Sequence, residues 1–549
     1  MKKRVLKSAS ALGLAAAVAG TAGIGPVMAA PKRGLADGVA ADKLAKAQQK
    51  APDMEGLDVR VANWYEGEPT PPKNQYEEDL ADYREYIQST FNFTIHKDNI
   101  GGWGESYTEQ HSISITAGDP IAQVGELDES WFPTLFNNAF CAPLDTLSTI
   151  DFSEAKWNQG VLEATRFKGH VFGMAVGHEP GAGIFFNKRL LQEAGYDQDA
   201  LYDFQKNGTW TWSKFEEVLN ACTRDIDGDG EIDTWGMTGF NSDFYKTAVY
   251  SSGAQFVSKD ADGYFHNEMD SEPVQNAITW ANDMWQKYAE PQPDDEAWDY
   301  FKASFNKGNA AMRVTEEYAK SELGTLEDEW GFVLFPCPDG QELIAIERPS
   351  VFFIPSLYTN KEAEKIAFAF DLYTDTVPGY EGADIWKEDY YGLYMDKRAV
   401  DETLARMMNG KTLVPLDRFV YGFDDQLGDL FIWNMANGSL TPAEAFDMKM
   451  ASWEAVVADQ NACIDVLAGS NHLEPLTEAE PETEPETEPE TEPETEPATE
   501  PATEPATETQ PVTDPGTAAP TGDMMPIVAI VVLALASGSV LVALRKKKA

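Results

Sequence analysis

Residues 225–233 read Asp-Ile-Asp-Gly-Asp-Gly-Glu-Ile-Asp, a stretch whose residue types and spacing specify a chemistry by themselves. Carboxylates recur at the first, third, fifth and ninth positions. Gly230 stands at the sixth, where a sharp turn is needed, and Glu231 brings its backbone carbonyl to the seventh. Hard oxygen donors in that order are those of an EF-hand-type calcium loop. Asp225, Asp227, Asp229, Glu231 and Asp233 are therefore expected to hold a structural Ca2+. The twelfth position is Gly236 rather than a bidentate Glu, so a remote carboxylate has to complete the shell; the competing reading is an acidic turn without metal. No catalytic signature stands beside it. Glycoside hydrolysis needs two carboxylates at a set separation, which so acidic a chain supplies by chance, and the six histidines form no His-Glu-x-x-His. Cys141, Cys222, Cys337 and Cys463 show no Cys-x-x-Cys spacing, and leave open three disulfide pairings or four free thiols.

The chain carries 92 acidic and 42 basic residues, a net charge of −50. The body stays strongly acidic when its terminal segments are set aside, which excludes nucleic acid as a partner. Fourteen Trp and twenty Tyr, many beside acidic residues, fit a neutral polyhydroxyl ligand. Flat aromatic faces take sugar C–H surfaces, and carboxylates accept hydroxyl hydrogen bonds.

Two addresses flank the body. Lys2, Lys3, Arg4 and Lys7 precede an apolar stretch from Ala9 to about Ile24, and Val27-Met28-Ala29 offers a cleavage site after Ala29, as in a secretory signal peptide (1–29). No Cys near that site offers a lipid anchor. At the other end, residues 526–544 carry no charge and Arg545-Lys546-Lys547-Lys548 follows, as expected of a transmembrane anchor (524–549) with a cytoplasmic tail. Between body and anchor, Glu474 to Asp523 holds sixteen acidic and no basic residues in Glu-Pro-Glu-Thr repeats. Such a segment cannot bury enough apolar surface to fold and reads as an extended disordered stalk, long enough to cross a Gram-positive wall.

The elements that must position any site lie within 57–473, after an Ala/Lys/Gln-rich leader (30–56) that is either helical or mobile. This body is too long for one core and implies two lobes. Val59 to Tyr65 reads as a strand ending on two aromatics. Glu77 to Ser89 reads as a helix with Leu80, Tyr83 and Ile87 on one stripe, and Phe91 to His96 as a strand. Gly101-Gly102-Trp103-Gly104 is a loop, and Ile113–Ala117 and Ile121–Val124 lead toward another buried strand. Further helices are expected at 273–289 and 361–373, and Thr441-Pro442-Ala443-Glu444 is a capping box that opens another. Alternating strands and helices imply α/β layers on a mainly parallel sheet.

An ordered set of stretches resembles the extracellular sugar-binding proteins of ABC importers, the solute-binding family that includes maltose-binding protein. It comprises Ala117-Gly118-Asp119-Pro120 through Ala142-Pro143-Leu144-Asp145, then residues 183–195 around Phe186-Asn187-Lys188. Thr209-Trp210-Thr211-Trp212, Phe305-Asn306-Lys307-Gly308 and Asn360-Lys361-Glu362-Ala363 complete it. The resemblance implies a two-lobed periplasmic-binding-protein-like fold of type II, its lobes joined by hinge crossovers. The first lobe is expected at about 57–170 and 300–350, the second at about 171–299 and 351–470. It implies a non-catalytic monomer that binds carbohydrate between the lobes for an ABC permease. The anchor suggests the alternative of a surface-displayed glycan adhesin or sensor, with a glycoside-acting enzyme behind both. Contact positions implied by the resemblance are Trp64 and Tyr65; Glu126, Asp128 and Trp131; His178 and Glu179; Phe244 and Tyr245; Tyr318; and Trp386, Tyr390 and Tyr391. In the galactose-binding relative a remote carboxylate completes the calcium site. The family's Gram-positive members are ordinarily lipid-anchored at the N-terminus, whereas here Ala519-Pro520-Thr521-Gly522-Asp523 only partly resembles a sortase signal. Retention in the membrane, facing outward, is the expected localisation, ahead of covalent wall attachment.

Overall fold

The computed structural model describes residues 39–67, 70–293, 296–382 and 384–476. The signal segment, all but the first residues of the stalk and the C-terminal apolar segment lie outside the described residues. Among the described residues no helix is long and apolar enough to cross a membrane.

The leader folds as helix α1, Val39–Lys50. Strand β1, Leu57–Asn63, buries Val59, Val61, Ala62 and Asn63 while Asp58 and Arg60 stay exposed, so its C-terminal end is enclosed on both faces. Helix α2, Gln75–Phe91, starts where the Asn74 side chain accepts from the Glu77 N–H at 2.9 Å, and stops at Asn92 in the left-handed region. Strand β2, Phe93–Asn99, returns parallel to β1. Residues 113–116, read as leading into a strand, instead finish helix α3, Glu105–Thr116, and Ile113 is exposed. Strand β3, Val124–Leu127, pairs parallel with β1 on its other side.

The chain then crosses at residues 177–181 into a second sheet. Strand β4, Ala182–Asn187, is buried throughout. Helix α4, Trp212–Cys222, strand β5, Trp235–Gly239, and helix α5, Asn241–Ser251, follow. Helices α6, Glu272–Tyr288, and α7, Tyr300–Lys307, lead to strands β6, Ala310–Glu316, and β7, Trp330–Val333. Crossing back at residues 347–350, the chain forms strand β8, Val351–Phe353, and helix α8, Asn360–Tyr373, on the first sheet. It ends on the second lobe with helix α9, Trp386–Tyr391, and helix α10, Pro442–Gly469.

The sheet orders are β8-β3-β1-β2 and β7-β4-β6-β5. The first is mainly parallel, as expected. The second is not, because β4 runs antiparallel to both β6 and β7. The expected lobe boundaries need correction. Residues 300–350, expected in the first lobe, lie in the second: β6 and β7 fill its sheet, where Met312 and Phe332 are wholly buried. Residues 351–373 belong to the first lobe, because Phe352, Ile366 and Phe370 close its apolar core over Val59 and Val124. All four cysteines are buried and free.

Candidate functional site

Both sheets aim strand ends at the gap between the lobes, the place where open α/β sheets present loops to ligands. At the end of β1 the chain delivers Trp64, whose ring meets Trp131 at 4.9 Å, Tyr107 at 5.5 Å and Trp103 at 5.6 Å. Tyr107 fixes this cluster from below: its hydroxyl lies 2.8 Å from the carbonyls of both Ala62 and Glu126, tying β1 to β3. Trp103 packs on Trp131 at 4.5 Å yet remains 58% exposed, its free side turned to the cleft that it lines.

That cleft measures about 1270 Å³ with its open mouth. Trp103, Glu129 and Ser130 form the first-lobe wall; Phe240, Arg313 and Tyr318 belong to the second; Glu347 and Arg348 come from the crossover. Its floor is a charge network. Asp128 accepts from Arg348 at 3.1 Å and from Arg418 at 3.0 Å. Burial alone would raise the Asp128 carboxyl, but the two guanidiniums outweigh it and hold it below the usual range. Asp424 pairs with Lys246 and sits 3.7 Å from Arg418, and these cations, working against burial, hold it at about 2. Arg313, only 1% exposed, donates from Nη2 to Glu322 while its Nε and Nη1 have no protein acceptor. Glu316 Oε2, also buried, accepts no hydrogen bond, and its other oxygen stands 3.7 Å from Arg348. Unpaired donors and an unpaired acceptor therefore lie buried just behind the wall of an aromatic-lined cleft.

The expected contact residues divide into four groups. Tyr318 lines the cleft, 57% exposed beneath the Arg348 guanidinium at 5.6 Å. Trp64, Asp128 and Trp131 stand behind Trp103, Glu129 and Ser130 and position them. A second set gathers at the crossover. Tyr65 donates its hydroxyl to Glu126, Lys97 lies 3.6 Å from Glu126, and His178 pairs with Glu347 at 2.9 Å. Glu179 accepts from the Ser350 N–H at 3.1 Å, and its carboxyl is pushed up to about 7 by burial, with Glu126 adding to the rise. Tyr390 packs on Tyr394 at 6.4 Å, whose hydroxyl donates to Glu317, and Trp386 packs edge-on against Tyr390 at 5.9 Å.

Three assignments are corrected. Phe244 and Tyr245 are fully buried on α5; Phe244 packs on Trp285 and Phe335, and Tyr245 bonds Asn282 at 3.1 Å, so both are core of the second lobe. Tyr391 turns its hydroxyl to Asp401 at 2.7 Å, away from the crossover set. Sequence reasoning missed Arg313, Glu316, Arg348 and Arg418, which lie far apart in the chain and share no local pattern. Trp103 was legible in principle, as a lone indole between glycines with no apolar stripe to bury it.

The acidic loop brings three of its carboxylates together. The side-chain oxygens of Asp225, Asp227 and Asp229 lie within 4.8 Å of one another. Asp225 accepts from Gly228 and Gly230 at 2.7 and 2.9 Å, Asp227 from Asp229 at 3.1 Å, and Asp229 from Glu231 at 2.8 Å. Gly230 has φ 97°, which only glycine adopts without strain. Asp233 caps the loop by accepting from Ile226 at 2.6 Å. All these oxygens are hard donors suited to Ca2+. A second carboxylate cluster among the described residues, Glu154, Asp371 and Asp375, is occupied by Lys156, whose ammonium lies 2.7 Å from both Asp371 and Asp375.

The sequence model of the bacterial extracellular solute-binding proteins matches residues 78–370. No curated protein matches the sequence significantly. Among solved structures, the fold is similar to that of the sugar-binding protein MalE from Xanthomonas citri, at 14% identity and TM-score 0.53 over 74% of this chain and 99% of that one. It is also similar to that of UspC from M. tuberculosis, at 14% identity and TM-score 0.51 over 73% of this chain and 100% of that one.

Proposed function

Because the chain belongs to the bacterial extracellular solute-binding protein family, we propose that its body captures a carbohydrate, an oligosaccharide, between the two lobes and presents it to an ABC-type permease. It is a binding protein and not an enzyme. The observation that carries the sugar reading is the pair of unsatisfied groups in the cleft. Arg313 holds two unpaired donors and Glu316 an unpaired acceptor, buried at the cleft wall until the side chains turn to a ligand. A hydroxyl both accepts and donates, so a polyol satisfies the two together, whereas a simple anion or cation satisfies one and repels the other. Trp103 and Tyr318 supply exposed aromatic faces for the sugar's C–H surface. The similar fold of a protein described as sugar-binding supports the same reading.

The same reading takes residues 225–233 as a structural Ca2+ loop, stabilising the entry to β5 rather than touching ligand. It takes the C-terminal apolar segment and acidic stalk as an outward-facing membrane tether. Titration of the full-length chain with a panel of oligosaccharides, followed by tryptophan fluorescence, tests the binding claim. At least one sugar is expected to change the emission of the Trp64–Trp103–Trp131 cluster, and silence across the panel contradicts it. The tether favours a second reading, display of the binding body to gather glycan without transport. Deleting the gene separates the two: lost uptake of the bound sugar supports import, whereas normal uptake with lost surface binding supports display.

A further inference from the structure

A second cavity, about 1030 Å³ with its open mouth, lies on the second lobe and shares Phe240 and Trp298 with the interlobe cleft as a common wall. Its chemistry differs from the cleft's. The indoles of Trp235, Trp285, Trp298 and Trp433 surround it together with Tyr300. Among the described residues, Glu290 is the one acid in its lining, and no Lys, Arg or His lines it. Glu290 is itself buried and accepts from the Ser304 hydroxyl. The remaining polar groups are amides, among them Asn241, Gln292 and Asn437.

Two of the indoles are unusually open, Trp298 at 58% and Trp433 at 39%. Trp298 meets Phe240 edge-on at 5.7 Å. Trp433 opens the short helix Trp433–Ala436, which is pinned to α6 where Gln286 donates to the carbonyls of Met435 and Ala436 at 2.8 and 3.0 Å. Exposed indoles in a concave, amide-rimmed pocket whose described lining carries a single acid fit the face of a sugar ring better than a charged or flat protein partner. The shared Trp298–Phe240 wall gives a chain seated in the cleft a short path into the pocket.

We propose that this second cavity is a glycan-binding exosite, which holds the part of a polysaccharide that extends beyond the interlobe cleft, with Trp433 as its stacking platform. The proposal rests on the carbohydrate reading of the cleft. Native electrophoresis of the full-length chain through gels containing starch, xylan, glucomannan or mixed-linkage β-glucan measures polymer retention. Calorimetry with a trisaccharide of each polymer measures the cleft alone. The wild type is expected to be retarded by at least one polymer. Trp433→Ala is expected to weaken that retention about tenfold with trisaccharide affinity unchanged, and Trp433→Phe to restore most of it. Three results overturn the exosite: retention of Trp433→Ala equal to wild type, no retardation of the wild type by any polymer, or a parallel loss of trisaccharide affinity in Trp433→Ala. Absence of trisaccharide binding, with polymer retention intact and still sensitive to Trp433→Ala, counts instead against the cleft reading and leaves the exosite standing.

Discussion

Arg313 is nearly inaccessible, yet two of its donors meet no protein acceptor. Each unmet buried donor costs about 1–3 kcal/mol, which a ligand oxygen recovers once the side chain turns to it. Arg313→Met is therefore expected to lower saccharide affinity by about tenfold or more. It should shift the melting temperature little, because two of the three nitrogens removed were unpaired and Glu322, which loses Nη2, keeps Lys302 at 3.0 Å; calorimetry with parallel thermal melts checks both. At this scale the sequence was partly legible. Trp64, Asp128 and Tyr318 stand at or just behind the cleft because strand ends and their following loops are where ligands meet such sheets. Phe244 and Tyr245 were misplaced because an aromatic pair on an amphipathic helix serves a core as readily as a site, and nothing local distinguishes the two. The arginines were invisible, since a cation's role depends on which carboxylates the fold brings beside it.

The crossover at 177–181 links the two lobes, and Gly181 is its tightest point. Its N–H donates to the Ile346 carbonyl at 2.9 Å, and a Cβ there would stand 2.7 Å from that same oxygen. Gly181→Ala is expected to part the two crossover strands, costing about 1–3 kcal/mol of stability and weakening ligand binding; a denaturant melt and a titration of the same variant measure the two. At α10, Thr441 and Glu444 form a reciprocal cap over Pro442, as the sequence motif indicated. Thr441→Ala should cost about 1 kcal/mol without altering affinity. For the acidic loop, Ca2+ removal by EDTA is expected to lower the melting temperature, and Asp227→Ala with Asp229→Ala to abolish that difference; an unchanged melt on chelation rejects the structural ion. Helices and caps were readable because their signals lie within a few residues of one another. The membership of β6, β7 and β8 was not, because strands of this length pair by partner burial rather than by chain order.

Over the whole molecule, acidity is the dominant property, and several carboxyls bind protons more tightly when folded. Burial pushes Glu179 up to about 7 and Asp417, aided by Asp424, up to about 6. Between the ordinary carboxylate range and these values the folded chain holds protons that the unfolded chain has released. Stability therefore falls as pH rises through that window. The net charge of −50 acts in the same direction by self-repulsion. The melting temperature in EDTA is accordingly expected to be higher at pH 5.5 than at pH 8, a trend that Glu179→Gln should flatten. Asp424, held at about 2, opposes it only in strong acid. Two lobes, two sheets and an interlobe cleft were legible from length, alternation and the ordered motifs. The central claim is that a sugar sits in that cleft, and calorimetric titration of wild type and Glu316→Gln with the same oligosaccharide panel tests it most directly. The account predicts one-to-one binding of at least one sugar by the wild type, weakened several-fold in the variant. Binding of no sugar, or binding that Glu316→Gln and Arg313→Met leave unchanged, would contradict it.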